Sequence, residues 1–193
     1  MKIGVLALQE GFKEHRKLLK DCGVKSCEVH NPEHLENIQG LIIPGKDASL
    51  LGKRMKETGL LGPVKDHAAE GLPIFGIHGG LVLLAKKIIG NPGWVNLGMM
   101  DIEVMDPGAE SQGGTFEADL EIDTLGFSPF RGVFIHTPLV MGVCPNVGIL
   151  SLHKGGVVFA RQGNLLACTF HPELTDDLRV HNYFINMVSS WKI

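Results

Sequence analysis

Three short stretches of this 193-residue chain carry side chains able to do chemistry. In Phe75-Gly76-Ile77-His78-Gly79-Gly80-Leu81, a histidine stands among small residues. Glycines on both sides permit a sharp strand-to-helix turn. The central side chain then projects into a cleft, and the next backbone N–H, that of Gly79, faces a developing oxyanion. A Gly-rich turn bearing a solvated histidine fits the same letters. In Thr169-Phe170-His171-Pro172-Glu173, a carboxylate lies two residues from an imidazole, close enough to orient it or support its protonated form. Alternatively, Glu173 caps the following helix and His171 is a surface turn residue. In Ile42-Ile43-Pro44-Gly45-Lys46-Asp47-Ala48-Ser49, backbone amides beyond a strand could line an anion site, or the segment is a turn with a helix cap at Asp47 or Ser49.

The elements around these stretches are those of an α/β fold. The continuous apolar runs 2–8, 40–43 and 72–77 read as strands buried on both faces, adjacent and parallel at the centre of a sheet. Residues 24–30 are a further strand candidate. Residues 11–23, 48–58, 62–70 and 79–88 read as helices between strands, which implies helices on both faces of a mostly parallel sheet, a three-layer, flavodoxin-like arrangement. Each reactive stretch follows a strand, and parallel α/β folds bind ligands at the C-terminal ends of their strands. Beyond residue 99 the character changes. Segments 100–104, 115–122, 132–137, 147–153, 156–161 and 165–170 are short strand candidates joined by Gly/Pro-rich connections such as 106–114, an antiparallel extension of the core. A last helix covers about 176–190, with Trp191 packing it down. No repeat or linker divides residues 1–193, so one domain is expected.

Composition excludes several function classes. The net charge of −3 and the lack of a Lys/Arg cluster argue against a nucleic-acid or anionic-membrane surface. The apolar run at the N-terminus is too short for a signal peptide or a membrane span. Cys22, Cys27, Cys144 and Cys168 show no CxxC spacing, which argues against a zinc or redox motif and fits reduced thiols in a cytoplasmic protein. Cys168, in an apolar run, reads as a small hydrophobe. No cofactor is expected.

Taken together, the strand with its Pro-Gly turn, the Gly-rich elbow and the late His-Pro-Glu resemble the triad (class I) glutamine amidotransferases. More narrowly, the chain is similar to the glutaminase subunits of pyridoxal 5'-phosphate synthase. IGVLALQ (3–9), GLIIPG (40–45), GLVLLAKKI (80–88), TFEAD (115–119), the GVFI and TP of 132–138, and QGNLLACTFHPELTDDLR with HNYF (162–184) carry the likeness along nearly the whole length. The resemblance implies a cysteine thiolate that attacks the glutamine carboxamide, a His-Glu pair matching His171 and Glu173, and ammonia delivered to a separate synthase subunit. It also implies an oxyanion site at the amides of Gly79 and Lys46.

Against that pattern the chain departs mostly in one pocket. His78 stands where the family has its cysteine. Lys46, Asp47 and Ala48 replace Gly-Glu-Ser in the glutamine-binding turn. Asp106 and His136, the latter after Ile135, replace arginines that meet the substrate, and Glu10 replaces a glycine. Departures concentrated in a pocket point to repurposing or redesign more than to drift. The resemblance therefore implies a protein inactive as a glutaminase. The alternative is a pocket rebuilt for other chemistry. A histidine beside a carboxylate is a general base. His78, His136 and His171 together would suit a transition metal. A desolvated Lys46 would form a Schiff base.

Overall fold

The computed structural model describes residues 1–106 and 114–191. Positions 107–113 of the predicted 106–114 connection lie outside the described residues. Among the described residues, twelve strands and five α-helices follow one another: β1 (Lys2–Leu6), α1 (Phe12–Asp21), β2 (Lys25–Val29), β3 (Gly40–Ile43), α2 (Ala48–Glu57), α3 (Leu61–Ala69), β4 (Ile74–Ile77), α4 (Gly79–Leu84), β5 (Ala85–Ile89), β6 (Met100–Met105), β7 (Thr115–Leu120), β8 (Phe130–Ile135), β9 (Leu139–Val143), β10 (Gly148–His153), β11 (Gly156–Gln162), β12 (Leu165–Cys168) and α5 (Arg179–Ser190).

The main sheet runs β2-β1-β3-β4-β12-β11-β9-β6-β5, with β10 on β11. β1, β3 and β4 are adjacent and parallel at the centre, and β12 joins β4 in the same sense. From β12 onward, β11, β9 and β6 pair antiparallel. Side chains alternate between two cores. Leu41 and Ile43 of β3 join a cluster with Leu51, Val64 and Leu83 of α2, α3 and α4, while Ile42 joins Leu19 of α1 and Phe184 of α5 in the other. Helices therefore cover both faces.

Three segments differ from the sequence reading. The helix expected over 79–88 ends at Leu84, and Ala85–Ile89 form a strand parallel to β6. Pairing with β6, supported by a Lys87–Glu103 contact of 2.9 Å, overrides a local sequence without a helix-stop signal. β9 was not anticipated. Leu139 and Met141 on it are exposed large hydrophobics, so its alternation lacks a clean polar face. β7 and β8 form a separate two-stranded sheet instead of extending the main one.

Candidate active site

β4 ends at Ile77 and α4 begins at Gly79, so the whole turn falls on His78. Its backbone sits at φ 51° and ψ −105°, a conformation that costs a non-glycine residue about 1–3 kcal/mol and is kept only where packing imposes it. The imposing contacts are visible. His78 N–H donates to the Cys168 carbonyl (2.9 Å), and Gly79 N–H donates to the Gly45 carbonyl (2.7 Å). α4 lies so close to β3 that a Cβ on Gly80 would stand 1.9 Å from the Ile43 oxygen, and one on Gly79 would stand 2.7 Å from the Gly45 oxygen. The glycines are thus required by close approach.

The His78 ring is almost wholly buried, at 3% exposure, at the wall of a cleft that it helps to line. Nε2–H donates to the Ile135 carbonyl at 2.8 Å and lies 3.2 Å from that of His136. Those acceptors fix the tautomer: the proton is on Nε2, and Nδ1 keeps its lone pair, buried and without a partner. Burial first, and the neighbouring His171 second, hold the ring's pKa below the ordinary histidine value. The ring stacks on His171 with centroids 4.9 Å apart and planes at 28°.

His171 follows β12 and donates Nδ1–H to Glu173 Oε1 at 2.7 Å. Glu173 is nearly buried and faces a second imidazole, with His15 Nε2 3.4 Å from Oε2. His15 Nδ1 is in turn 2.9 Å from His181 Nε2. His181, His15, Glu173 and His171 thus form one continuous buried row. Burial alone would raise the Glu173 carboxyl, but His15 and His171 outweigh it and hold the group well below the usual carboxylate range. Burial, then His15, pushes His181 down to about 3. At the reactive end, His171 Nε2 is buried and has no hydrogen-bond partner.

Residues 5–190 match the model of the SNO glutamine amidotransferase family. The chain belongs to the SNO glutamine amidotransferase family. It is 46% identical to a pyridoxal 5'-phosphate synthase subunit PdxT of Pelotomaculum thermopropionicum over 96% of this chain and 94% of that protein. It is 47% identical to the PdxT of Moorella thermoacetica over 97% of this chain and all of the relative. A crystal structure of a glutamine amidotransferase superposes at a TM-score of 0.91 with 39% identity, covering 97% and 98% of the two chains. PurLQS of Thermotoga maritima, at a TM-score of 0.73 and 15% identity over 96% of this chain and 97% of that one, shares the fold.

As in the sequence reading of this glutamine amidotransferase chain, several remaining site residues meet in one place. Lys46, Asp47, His78, Asp106 and His136 line a cleft of about 290 Å3 together with Ser49 and Trp94. Others do not. Ala48 is buried at the start of α2, and Glu10 is exposed and pairs with Lys46 Nζ at 3.4 Å, outside the cleft lining. Ile135 contributes its carbonyl to His78. Both amides proposed for an oxyanion site are engaged elsewhere: Gly79 N–H on Gly45, and Lys46 N–H on Gln9 Oε1 at 3.0 Å. Gln9 also accepts from Asp47 N–H (3.2 Å) and donates to the Asp47 carbonyl (2.8 Å), so one side chain braces the turn. Asp47 caps α2 through Leu50 N–H at 2.8 Å. The three-imidazole metal set is not formed. Among the described residues, no group of three or more His, Cys, Asp or Glu could hold a metal ion.

Gln9, His15, Trp94 and His181 were not singled out from sequence. Gln9 sits at the end of the first apolar run, where ligand-facing residues of parallel folds gather. The other three carry no local signal. Cys168 is fully buried with Sγ–H directed at the Phe170 carbonyl, and burial drives its thiol pKa up, so it is no substitute nucleophile. No helix among the described residues is long and apolar enough to cross a membrane.

Proposed function

We propose that this chain is a glutaminase-type subunit of a pyridoxal 5'-phosphate synthase in which glutamine hydrolysis has been lost, so that it serves the synthase subunit as a non-catalytic partner. The single observation that carries this reading is the bond from His78 Nε2 to the Ile135 carbonyl. In the family resemblance, position 78 belongs to the thiolate that attacks glutamine. Here it holds a buried imidazole whose N–H proton is committed to a backbone acceptor and whose ring stacks on His171. Even a competent nucleophile would lack an oxyanion site, because the Gly79 and Lys46 amides already donate within the protein. Asp106 and His136 stand where the resemblance places guanidinium groups, and a carboxylate there repels the carboxylate of glutamine.

The scaffold supports the partnership. Relatives named as pyridoxal 5'-phosphate synthase subunits align over 96–97% of the chain. The test is to mix the chain with the synthase subunit of such a relative and follow sedimentation and ammonia release from glutamine together. Co-sedimentation without ammonia is expected. Separate sedimentation would remove the partner role, and catalytic ammonia release would remove the loss of activity.

A second reading, a cleft turned to other chemistry, is favoured by one feature: two neighbouring buried bases, His78 Nδ1 and His171 Nε2, both lacking partners. Imidazoles attack activated esters but not amides. Hydrolysis of 4-nitrophenyl acetate that disappears in both His78→Gln and His171→Gln would support it, and a rate unchanged by either would sink it.

A further inference from the structure

A cavity of about 480 Å3 lies apart from the cleft and plays no part in the chemistry above. One strand serves both places, since β8 presents Phe134 to this cavity and the Ile135 carbonyl to His78. Its wall is aromatic. Phe116 and Phe134 stack with centroids 4.6 Å apart and planes at 6°. His153 lies 5.7 Å from each ring at 26–27°. Exposed Leu139 extends the apolar lining at the rim.

Three lining residues break this apolar character. Thr137 Oγ1, His153 Nε2 and Thr169 Oγ1 are buried and have no hydrogen-bond partner. Buried polar atoms are almost always paired, and each orphan detracts from folding. Three on one cavity, outside the cleft, call for a group that satisfies them. An apolar concavity of this size with a few convergent polar atoms is the usual make-up of a small-molecule site, for which volumes run roughly 300–1,000 Å3. The polar atoms also restrict the chemistry. The described lining holds no Lys, Arg, Asp or Glu, so a charged ligand would find no counter-ion. A hydroxyl donates and accepts, and so does a neutral imidazole in one or other tautomer, which suits a ligand hydroxyl or amide.

We propose that this cavity binds a small, flat, uncharged organic molecule bearing a hydroxyl or amide group, its ring against the Phe116–Phe134–His153 wall and its polar group on the orphan atoms of Thr137, His153 and Thr169.

The probes are 2-naphthol and naphthalene, titrated into the full chain and followed by methyl NMR. 2-Naphthol should shift the methyl signals of Thr137, Leu139 and Thr169 saturably, with naphthalene at least tenfold weaker. The double variant Thr137→Val/Thr169→Val should bring the two affinities together without lowering the melting temperature, because it replaces orphan hydroxyls by methyl groups. Thr137→Val alone, at a half-buried position, should narrow the gap if the double variant fails to fold. Absence of saturable shifts with 2-naphthol, equal affinities in the unmodified protein, which would mean that water fills the polar corner, or an undiminished preference for 2-naphthol in the variants would each overturn the site.

Discussion

His78 donates its Nε2 proton to the Ile135 carbonyl across 2.8 Å, and this bond turns an elbow shaped to present a side chain into one that holds it down. The strain at φ 51° persists, but it positions a hydrogen-bond donor rather than an exposed nucleophile.

Restoring a thiol should therefore recover little. His78→Cys places sulfur at the elbow but leaves the Gly79 and Lys46 amides on their internal acceptors, and Asp106 and His136 in the cleft. One missing oxyanion donor costs roughly 10²–10³ in kcat. Glutamine turnover by His78→Cys, measured as ammonia with the synthase subunit present, should stay at least about a hundredfold below that of an active relative. Turnover within tenfold would show that the binding positions matter little.

Glu173 is the hub of the buried row, facing His171 at 2.7 Å and His15 at 3.4 Å. Glu173→Gln keeps the shape but removes the negative charge, and its amide can accept from only one side. A loss of about 3 kcal/mol is expected, the scale for removing one partner of a buried pair. Chemical denaturation reads it directly, and a change under about 1 kcal/mol would mean that the row carries little stability.

The row also sets an acid limit. His181 has a folded pKa of about 3 against 6.5 for a free histidine, and His78 shifts in the same direction. Above pH 6.5 both states hold these rings neutral and their contribution is complete. As pH falls from 6.5 toward 3, the unfolded chain takes up protons that the fold refuses, so stability declines. Glu173, lowered from 4.5, adds the same sign only below that value. The melting temperature should thus drop between pH 7 and 5, before carboxylates titrate, and His181→Phe should flatten the slope. A flat profile in the unmodified protein would contradict the buried neutral rings.

The elbow glycines are a packing requirement. Gly80→Ala forces a Cβ to 1.9 Å from the Ile43 oxygen, a backbone atom that cannot swing away. Destabilisation of about 3 kcal/mol or more is expected from calorimetry. A normal melting temperature would mean that α4 shifts freely off β3.

The parallel centre of the fold was legible because Ile3, Val5, Leu41–Ile43 and Ile74–Ile77 are buried on both faces and read as unbroken apolar runs. The turn at His78 was legible from the glycines that flank it, and the His171–Glu173 contact because only Pro172 separates the two residues. What escaped was long-range. Ala85–Ile89 became a strand because Met100–Met105 lies alongside, and no local propensity records that. His15 and His181 meet across 166 positions, one inside α1 and the other inside α5. Gly79 and Gly80 signal a close approach, but that the Gly79 amide meets the Gly45 carbonyl depends on a turn far away in the chain.

Ammonia release separates the proposed loss of glutamine turnover from an active glutaminase in a single assay. The unmodified chain, at micromolar concentration with an equimolar synthase subunit from an active relative, is incubated with excess glutamine, and ammonia is measured over time against a chain-free control. A trace indistinguishable from the control is expected. A steady rate that passes one ammonia per chain, and that vanishes when His78 is replaced by alanine, would contradict it.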